Sequence, residues 1–242
     1  MGKTALLVFS GGQDSTTCLA WALNRYERVT TVGFAYGQRH AVEMECRAAI
    51  LQRLRQENGA TEAWPAFWKS RLGEDTVLDL GVLAQIGGTS LTDDMTIAMQ
   101  DNGLPNSFVP GRNLLFLTAA AALAYRQGAD HIITGVGEAD YSGYPDCREN
   151  TIRALETAIN LGTEHRFSLL TPLMHCDKQA TWELARAEGG DAFVELVRTM
   201  THTCYEGDHA TLHDWGYGCG HCPACVLRAR GWEAFAKACI HA

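Results

Sequence analysis

Residues 6–19, LLVFSGGQDSTTCL, decide the fold. The apolar residues Leu6, Leu7, Val8 and Phe9 stop at Ser10-Gly11-Gly12 and a segment compatible with a helix follows, so the local order is strand, tight turn, helix. Such a turn binds anions. Two glycines let the backbone approach a ligand with no Cβ in the way, and the first N–H groups of the next helix have no intrahelical partner. The helix dipole draws negative charge to the same place. This is not a Walker A loop, because the G-x-x-x-x-G-K-[ST] spacing and its lysine are missing.

On its residues alone the stretch fits either an ordinary glycine-rich turn or a nucleotide loop. Read with the Ser before the glycines and the Q-D-S after them, SGGQDS resembles the pyrophosphate loop of the ATP-pyrophosphatase (PP-loop) superfamily. Members of that superfamily cleave ATP between the α and β phosphates and transfer AMP to an oxygen.

Composition narrows the classes. The chain has 242 residues, 46% hydrophobic and 20% charged, enough for one large domain or a domain with an appendage. A net charge of -8 argues against a large nucleic-acid footprint, because such binding relies on Lys and Arg neutralising phosphates. The longest apolar run, residues 114–124, is too short to span a bilayer, and a strand directly after Met-Gly-Lys-Thr leaves no room for a signal peptide. A cytoplasmic protein is expected, with its nine cysteines as thiols, metal ligands or catalytic groups rather than disulfides.

Outward from the first loop, residues 16–26 read as a helix, 29–35 as a β-branched strand and 41–57 as a second helix. Strand 29–35 ends in YGQRH, whose Gln38, Arg39 and His40 are candidates to contact substrate or phosphate. Residues 58–75 read as irregular, with Trp64, Phe67 and Trp68 as core packing or a cover for an edge, and 76–80 as a third strand. Residues 87–110 read as a functional loop leading to Arg112 at the start of an alanine-rich helix, to about residue 127. A fourth strand, 130–134, precedes the polar run 138–148, which looks like a recognition loop. A helix at 150–161, a fifth strand at 167–170 and a helix led by Lys178 follow. This alternation argues for βαβ units and a parallel sheet with ligands at the carboxyl ends of its strands.

Cys204, Cys219, Cys222 and Cys225 form C-x14-C-x2-C-x2-C. Two C-x2-C steps sharing one cysteine let a single turn offer three thiolates, and Cys204 closes a tetrahedron. Four sulfurs select zinc over harder ions, with an iron–sulfur cluster as the rival. His202, His209, His213 and His221 lie close enough in sequence to substitute for a cysteine. Four thiolates leave no open position, so the ion fixes the fold instead of activating water.

The pieces SGGQDSTTCL, YGQRH, VPGRN, ITGV, DYSGYPDCR, TPLM with Lys178, TCY and CGHCPACVLR occur in the order and at roughly the distances of the 7-cyano-7-deazaguanine synthase family, over nearly the whole chain. The resemblance implies an α/β, parallel-sheet PP-loop domain, Rossmann-like and similar to adenine nucleotide alpha hydrolases, over residues 1–198. A small C-terminal zinc-binding helical region, 199–242, would pack on it. It implies a ligase acting on 7-carboxy-7-deazaguanine, ammonia and ATP in the making of a queuosine precursor. It places Phe9, Ser10, Gly11, Gly12, Gln13, Asp14, Ser15, Thr16, Thr17, Cys18 and Leu19 on ATP, with Mg²⁺ bridging the pyrophosphate.

By the same resemblance Lys178, Arg112 and Asp14 are the catalytic candidates, and Arg39, Asp140, Tyr144, Asp146 and Arg148 face the substrate. Asp140 and Asp146 would accept from the ring N–H and exocyclic amine, Tyr144 would stack, and Arg148 would hold the carboxylate. The expected partners are small molecules, with no nucleic acid or membrane, and the expected assembly is a homodimer. Two departures stand out. Ala35 occupies a position before YGQRH where the family often has Asp. The gap from Cys204 to Cys219 is also longer than the family's, so 206–217 is expected to be an exposed lobe. Related PP-loop enzymes that stop at the amide or conjugate the deazaguanine, and a zinc-stabilised nucleotide-binding module without turnover, remain alternatives.

Overall fold

Strand β1 (Thr4–Val8) has Ala5, Leu6 and Leu7 fully buried, the composition of a strand inside a parallel sheet covered on both faces. The computed structural model describes residues 3–38, 42–56, 64–89, 105–138 and 144–240, and among these β1 is the middle of a five-stranded parallel sheet. Helix α1 (Gln13–Arg25), strand β2 (Arg28–Ala35) and helix α2 (Val42–Arg55) follow at the places the alternation predicts. A short α3 (Trp68–Arg71) leads into β3 (Leu72–Asp79), and α4 (Val82–Ile86) comes after it. Then come α5 (Arg112–Gln127), β4 (His131–Ile133), α6 (Glu149–Thr163), β5 (Ser168–Leu170) and α7 (Lys178–Met200). A hairpin of β6 (Leu212–His213) and β7 (Gly216–Tyr217) precedes the last helix, α8 (Pro223–Ile240).

The sheet order is β3-β2-β1-β4-β5. The chain therefore winds one way from β1 and the other way from β4, and a crevice opens at the carboxyl ends of these two neighbours. Residues 10–12 after β1 and 134–137 after β4 flank that crevice. Alternation along the strands feeds two cores. Leu7 and Ile133 pack with α1, α2 and α7 on one face, whereas Leu6 and Ile132 pack with α5 and α6 on the other.

Two expectations change. Strand β3 begins at Leu72, ahead of the predicted residue 76, because its polar start is held by tertiary partners. The Asp75 carboxylate pairs with the Arg47 guanidinium and accepts from Thr31 Oγ1 at 2.5 Å. Residues 206–217 are exposed only in part, at Glu206, Ala210, Thr211, Leu212 and Asp214, and are anchored at their far end. Trp215 is buried, its carbonyl accepts from Arg228 Nε at 3.0 Å, and its ring stacks on His213. Of the three aromatics around Pro65, Trp64 and Trp68 are buried while Phe67 is 43% exposed under the Arg71 guanidinium. Most of the predicted loop 87–110 lies outside the described residues.

Arg47 is buried beneath the sheet's carboxyl edge, where it also donates to the carbonyls of Phe9 and Thr76. Removing one partner of such a pair leaves an uncompensated charge, at a cost of about 3 kcal/mol. Asp75→Ala is therefore expected to lower the unfolding free energy from urea titrations by that order, whereas Glu74→Ala, whose ion pair with Arg28 is exposed, should leave it within about 0.5 kcal/mol of the wild type.

Candidate functional site

The turn after β1 is shaped from two sides. Gly11 has φ +92°, and a Cβ there would stand 2.7 Å from both the Arg47 amide nitrogen and the Glu43 carbonyl oxygen on α2. A Cβ on Gly12 would meet the His202 carbonyl oxygen at 3.2 Å, and the His202 N–H donates to the Gly11 carbonyl at 3.3 Å. Only glycine fits at position 11, and a side chain at 12 would press on the His202 carbonyl. The N–H groups of Ser10 and Gly11 converge on Ser15 Oγ, at 3.2 and 3.3 Å, and the Gly12 N–H points to Ser10 Oγ at 3.2 Å. Successive amides thus turn to one side at the start of α1 and gather around the Ser15 and Ser10 hydroxyls.

Lys178 reaches this turn from α7. Asp177 caps that helix, its carboxylate accepting from the Ala180 N–H at 2.8 Å, so Lys178 stands at the first helical position. Its Nζ lies 2.8 and 3.0 Å from the Asp14 carboxylate oxygens, with both side chains mostly buried. The loop after β4 comes close as well, since a Cβ on Gly135 would be 3.1 Å from Asp14 C and Ser15 N.

Across the cavity stands an aromatic wall. Phe34 stacks on Phe116 at 4.3 Å, Tyr36 lies 5.4 Å from Phe116, and the Arg112 guanidinium is 5.9 Å from the Tyr36 ring centre. Tyr144 and Tyr205 complete the wall, and the Tyr144 hydroxyl is 2.7 Å from Ser107 Oγ. Glu43 faces the same space. Burial pushes its carboxyl up from the ordinary range, partly offset by a hydrogen bond from Ser10. Gln13 is 3% exposed, and both atoms of its amide group are buried with no hydrogen-bond partner among the described residues.

The structure thus brings Phe9, Ser10, Gly12, Gln13, Asp14, Ser15, Arg112, Tyr144 and Lys178 to one cavity. Gly11 shapes the turn, while Thr16, Thr17, Cys18 and Leu19 are buried behind it in α1. Asp146 does not line the cavity. Its Oδ2 accepts from the Asn113 N–H at 3.0 Å, closing the first turn of α5, whose N-cap Gly111 has no side chain for the purpose. Arg148 is the exposed N-cap of α6, and Arg39 and Asp140 lie outside the described residues. Sequence reading missed Glu43, Phe116, His202, Thr203 and Tyr205, all on the cavity wall. Each is near the start of a helix or between elements, so only the sheet order shows where it ends up.

The Sγ atoms of Cys204, Cys219, Cys222 and Cys225 lie within 4.8 Å of one another. Backbone amides already serve them, Cys219 N–H to Cys204 Sγ at 3.5 Å and Cys222 N–H to Cys219 Sγ at 3.3 Å. Hydrogen bonds from Cys222 and Cys225 hold the Cys204 thiol below the ordinary thiol range. Four sulfurs with amide support, and no histidine among them, fit a closed zinc site. His202, His209 and His213 bond elsewhere, to Cys204 O, Cys46 Sγ and Gly218 O respectively. Behind the cluster Arg228 is fully buried and donates to Trp215 O, Thr203 Oγ1, Val197 O and Arg198 O.

A family model described as "Queuosine biosynthesis protein QueC" matches residues 4–236. A protein of Zymomonas mobilis named 7-cyano-7-deazaguanine synthase is 57% identical over 232 residues, 96% of this chain and 89% of that one. One of the same name from Bordetella pertussis is 55% identical over 240 residues, 99% of this chain and 96% of that one. Among solved structures, a 4-thiouridine synthetase–RNA complex with bound ATP aligns with a TM-score of 0.48 and 19% identity, over 79% of this chain and 42% of that one.

Gln13→Met removes two buried, unpartnered polar atoms. It is expected to leave the ligand-free protein as stable as the wild type or up to about 1 kcal/mol more stable, while the rise in Tm on adding ATP shrinks. Paired thermal scans with and without ATP check both. Native mass spectrometry is expected to find one zinc per chain, lost in Cys225→Ser.

Proposed function

The chain belongs to the family of the queuosine biosynthesis protein QueC, and from that membership we propose that it is a 7-cyano-7-deazaguanine synthase using 7-carboxy-7-deazaguanine, ammonia and ATP. The observation that carries this reading is one cavity with an anion-binding turn and a lysine on one side and an aromatic wall with an arginine on the other. A phosphate chain and a flat purine-like acid can meet there.

A carboxylate is a poor acyl donor because oxide does not leave. Its oxygen first attacks the α-phosphorus of ATP, the bond to the β-phosphate oxygen breaks, and diphosphate departs. Ammonia then adds to the acyl carbon, a proton is lost and AMP leaves, giving the amide. The amide oxygen attacks the α-phosphorus of a second ATP, diphosphate departs and one N–H proton is lost, and loss of AMP with the second N–H proton then gives the nitrile. Both attacking oxygens hang from the same ring carbon substituent, so one site serves twice.

In this reading the N–H groups of the 10–12 turn and the α1 dipole hold the departing diphosphate, and Ser10 and Ser15 orient those amides. Lys178, held by Asp14, meets the charge developing on the phosphate, and Arg112 does so from the opposite wall. Phe116 and Tyr36 offer faces for the purine-like ring, with Tyr144 beside them. Asp146 acts through the first turn of α5, and Arg39 and Asp140 complete the substrate contacts. Mg²⁺ would neutralise charge between the phosphates. Asp14 and Glu43 are the carboxylates on the described cavity wall with oxygens to offer it. Zinc on the four cysteines would fix residues 199–242 against the PP-loop domain of residues 1–198. The protein acts on small molecules as a cytoplasmic homodimer that does not bind nucleic acid. Among the described residues no helix is long and apolar enough to cross a membrane.

With the acid, ammonium and ATP, mass spectrometry should detect the nitrile and two AMP per product. An amide end product, or ATP bound without AMP release, would refute the reading. Lys178→Ala is expected to lower kcat at least a hundredfold with zinc content unchanged.

A further inference from the structure

Helix α8 carries one buried stripe, Cys225, Arg228, Gly231 and Phe235. Cys225 belongs to the cysteine cluster, and Arg228 is bonded to the carbonyls that end α7. Farther along, Phe235 lies 6.3 Å from Trp182, and Trp232 meets the same indole edge-on at 5.0 Å. Gly231 sits between these anchors. A Cβ built on it would stand 2.4 Å from Lys178 Cβ and 2.7 Å from the Lys178 carbonyl carbon. These atoms belong to the main chain and the root of the side chain at the first turn of α7, so no flexible tip can swing aside. Glycine is a poor residue inside a helix, which makes the close approach its physical reason for being here.

We propose that Gly231 is a positioning residue for Lys178: with no side chain, it lets α8, anchored at its first turn by the cysteine cluster, rest on the first turn of α7 and fix the ammonium beside Asp14. The inference rests on the reading of Lys178 as the group that meets phosphate. Relieving a separation of only 2.4 Å requires the first turn of α7 to shift by roughly 1 Å, a misplacement that can cost about a hundredfold in rate.

Gly231→Ala is expected to lower kcat at least tenfold, keep KM for ATP and for the acid within about threefold, and retain one zinc per chain. In a Lys178→Ala background, where AMP release is followed in single turnovers, the same change should cost less than twofold, because the group it displaces is already gone. Wild-type kcat in Gly231→Ala, or an undiminished loss in the Lys178→Ala background, overturns the proposal. Wild-type kcat in Lys178→Ala overturns it together with the role of that lysine, and a wild-type control that makes no AMP with the acid and ammonium overturns the activity itself. A second measurement does not depend on the variant folding. Chelating zinc from the wild-type holoenzyme should speed amide exchange at residues 178–182 at least tenfold relative to α6, and equal exchange in the two regions would remove the brace.

Discussion

At Gly11 the backbone of α2 comes so close to the turn after β1 that a single methyl group would overlap it, and at Gly12 the carbonyl of His202 does nearly the same from the other side. The direction of the turn's N–H groups is set by these two contacts. Each is fixed from farther away. Helix α2 is held down by Arg47, whose guanidinium spans β1 and β3 through Phe9 O, Thr76 O and the Asp75 carboxylate. The 201–203 segment is held by Arg228, through Thr203 Oγ1 and the last carbonyls of α7. Two buried arginines thus define the cradle, Arg47 held by the Asp75 carboxylate and two main-chain carbonyls, and Arg228 by three main-chain carbonyls and the Thr203 hydroxyl.

The chain carries a net charge of -8, yet this crevice is arranged for anions. It has the open amides of α1, the Lys178 ammonium and the Arg112 guanidinium. Asp14 and Glu43 stand among them, and burial has already weakened the tendency of Glu43 to hold a charge. The surface carboxylates that carry the net charge are screened by water and salt, so they reach this crevice weakly.

The C-terminal residues are more than a clasp. The strip from His202 to Tyr205 is at once cavity wall and the lead-in to the first cluster thiol, and Ala224 and Leu227, flanking Cys225 on α8, line the same cavity. The cysteine knuckle and one wall of the site are therefore built from the same residues.

The first strand, the glycine turn, the alternation of the five sheet strands with the main helices, the start of α7 at Lys178 and the four-thiol cluster were legible in the sequence, because periodicity, turn chemistry and ligand spacing are local properties. The polar start of β3, the burial of Trp215 and the duty of Asp146 at α5 were not, because distant partners decide them: Arg47, Arg228 and the bare N-terminus left by Gly111. The same holds for the wall made by Glu43, Phe116 and Tyr205. Residues so far apart along the chain meet only where β1 and β4 become neighbours, and strand adjacency follows from burying two faces of one sheet at once, a balance that no local stretch records.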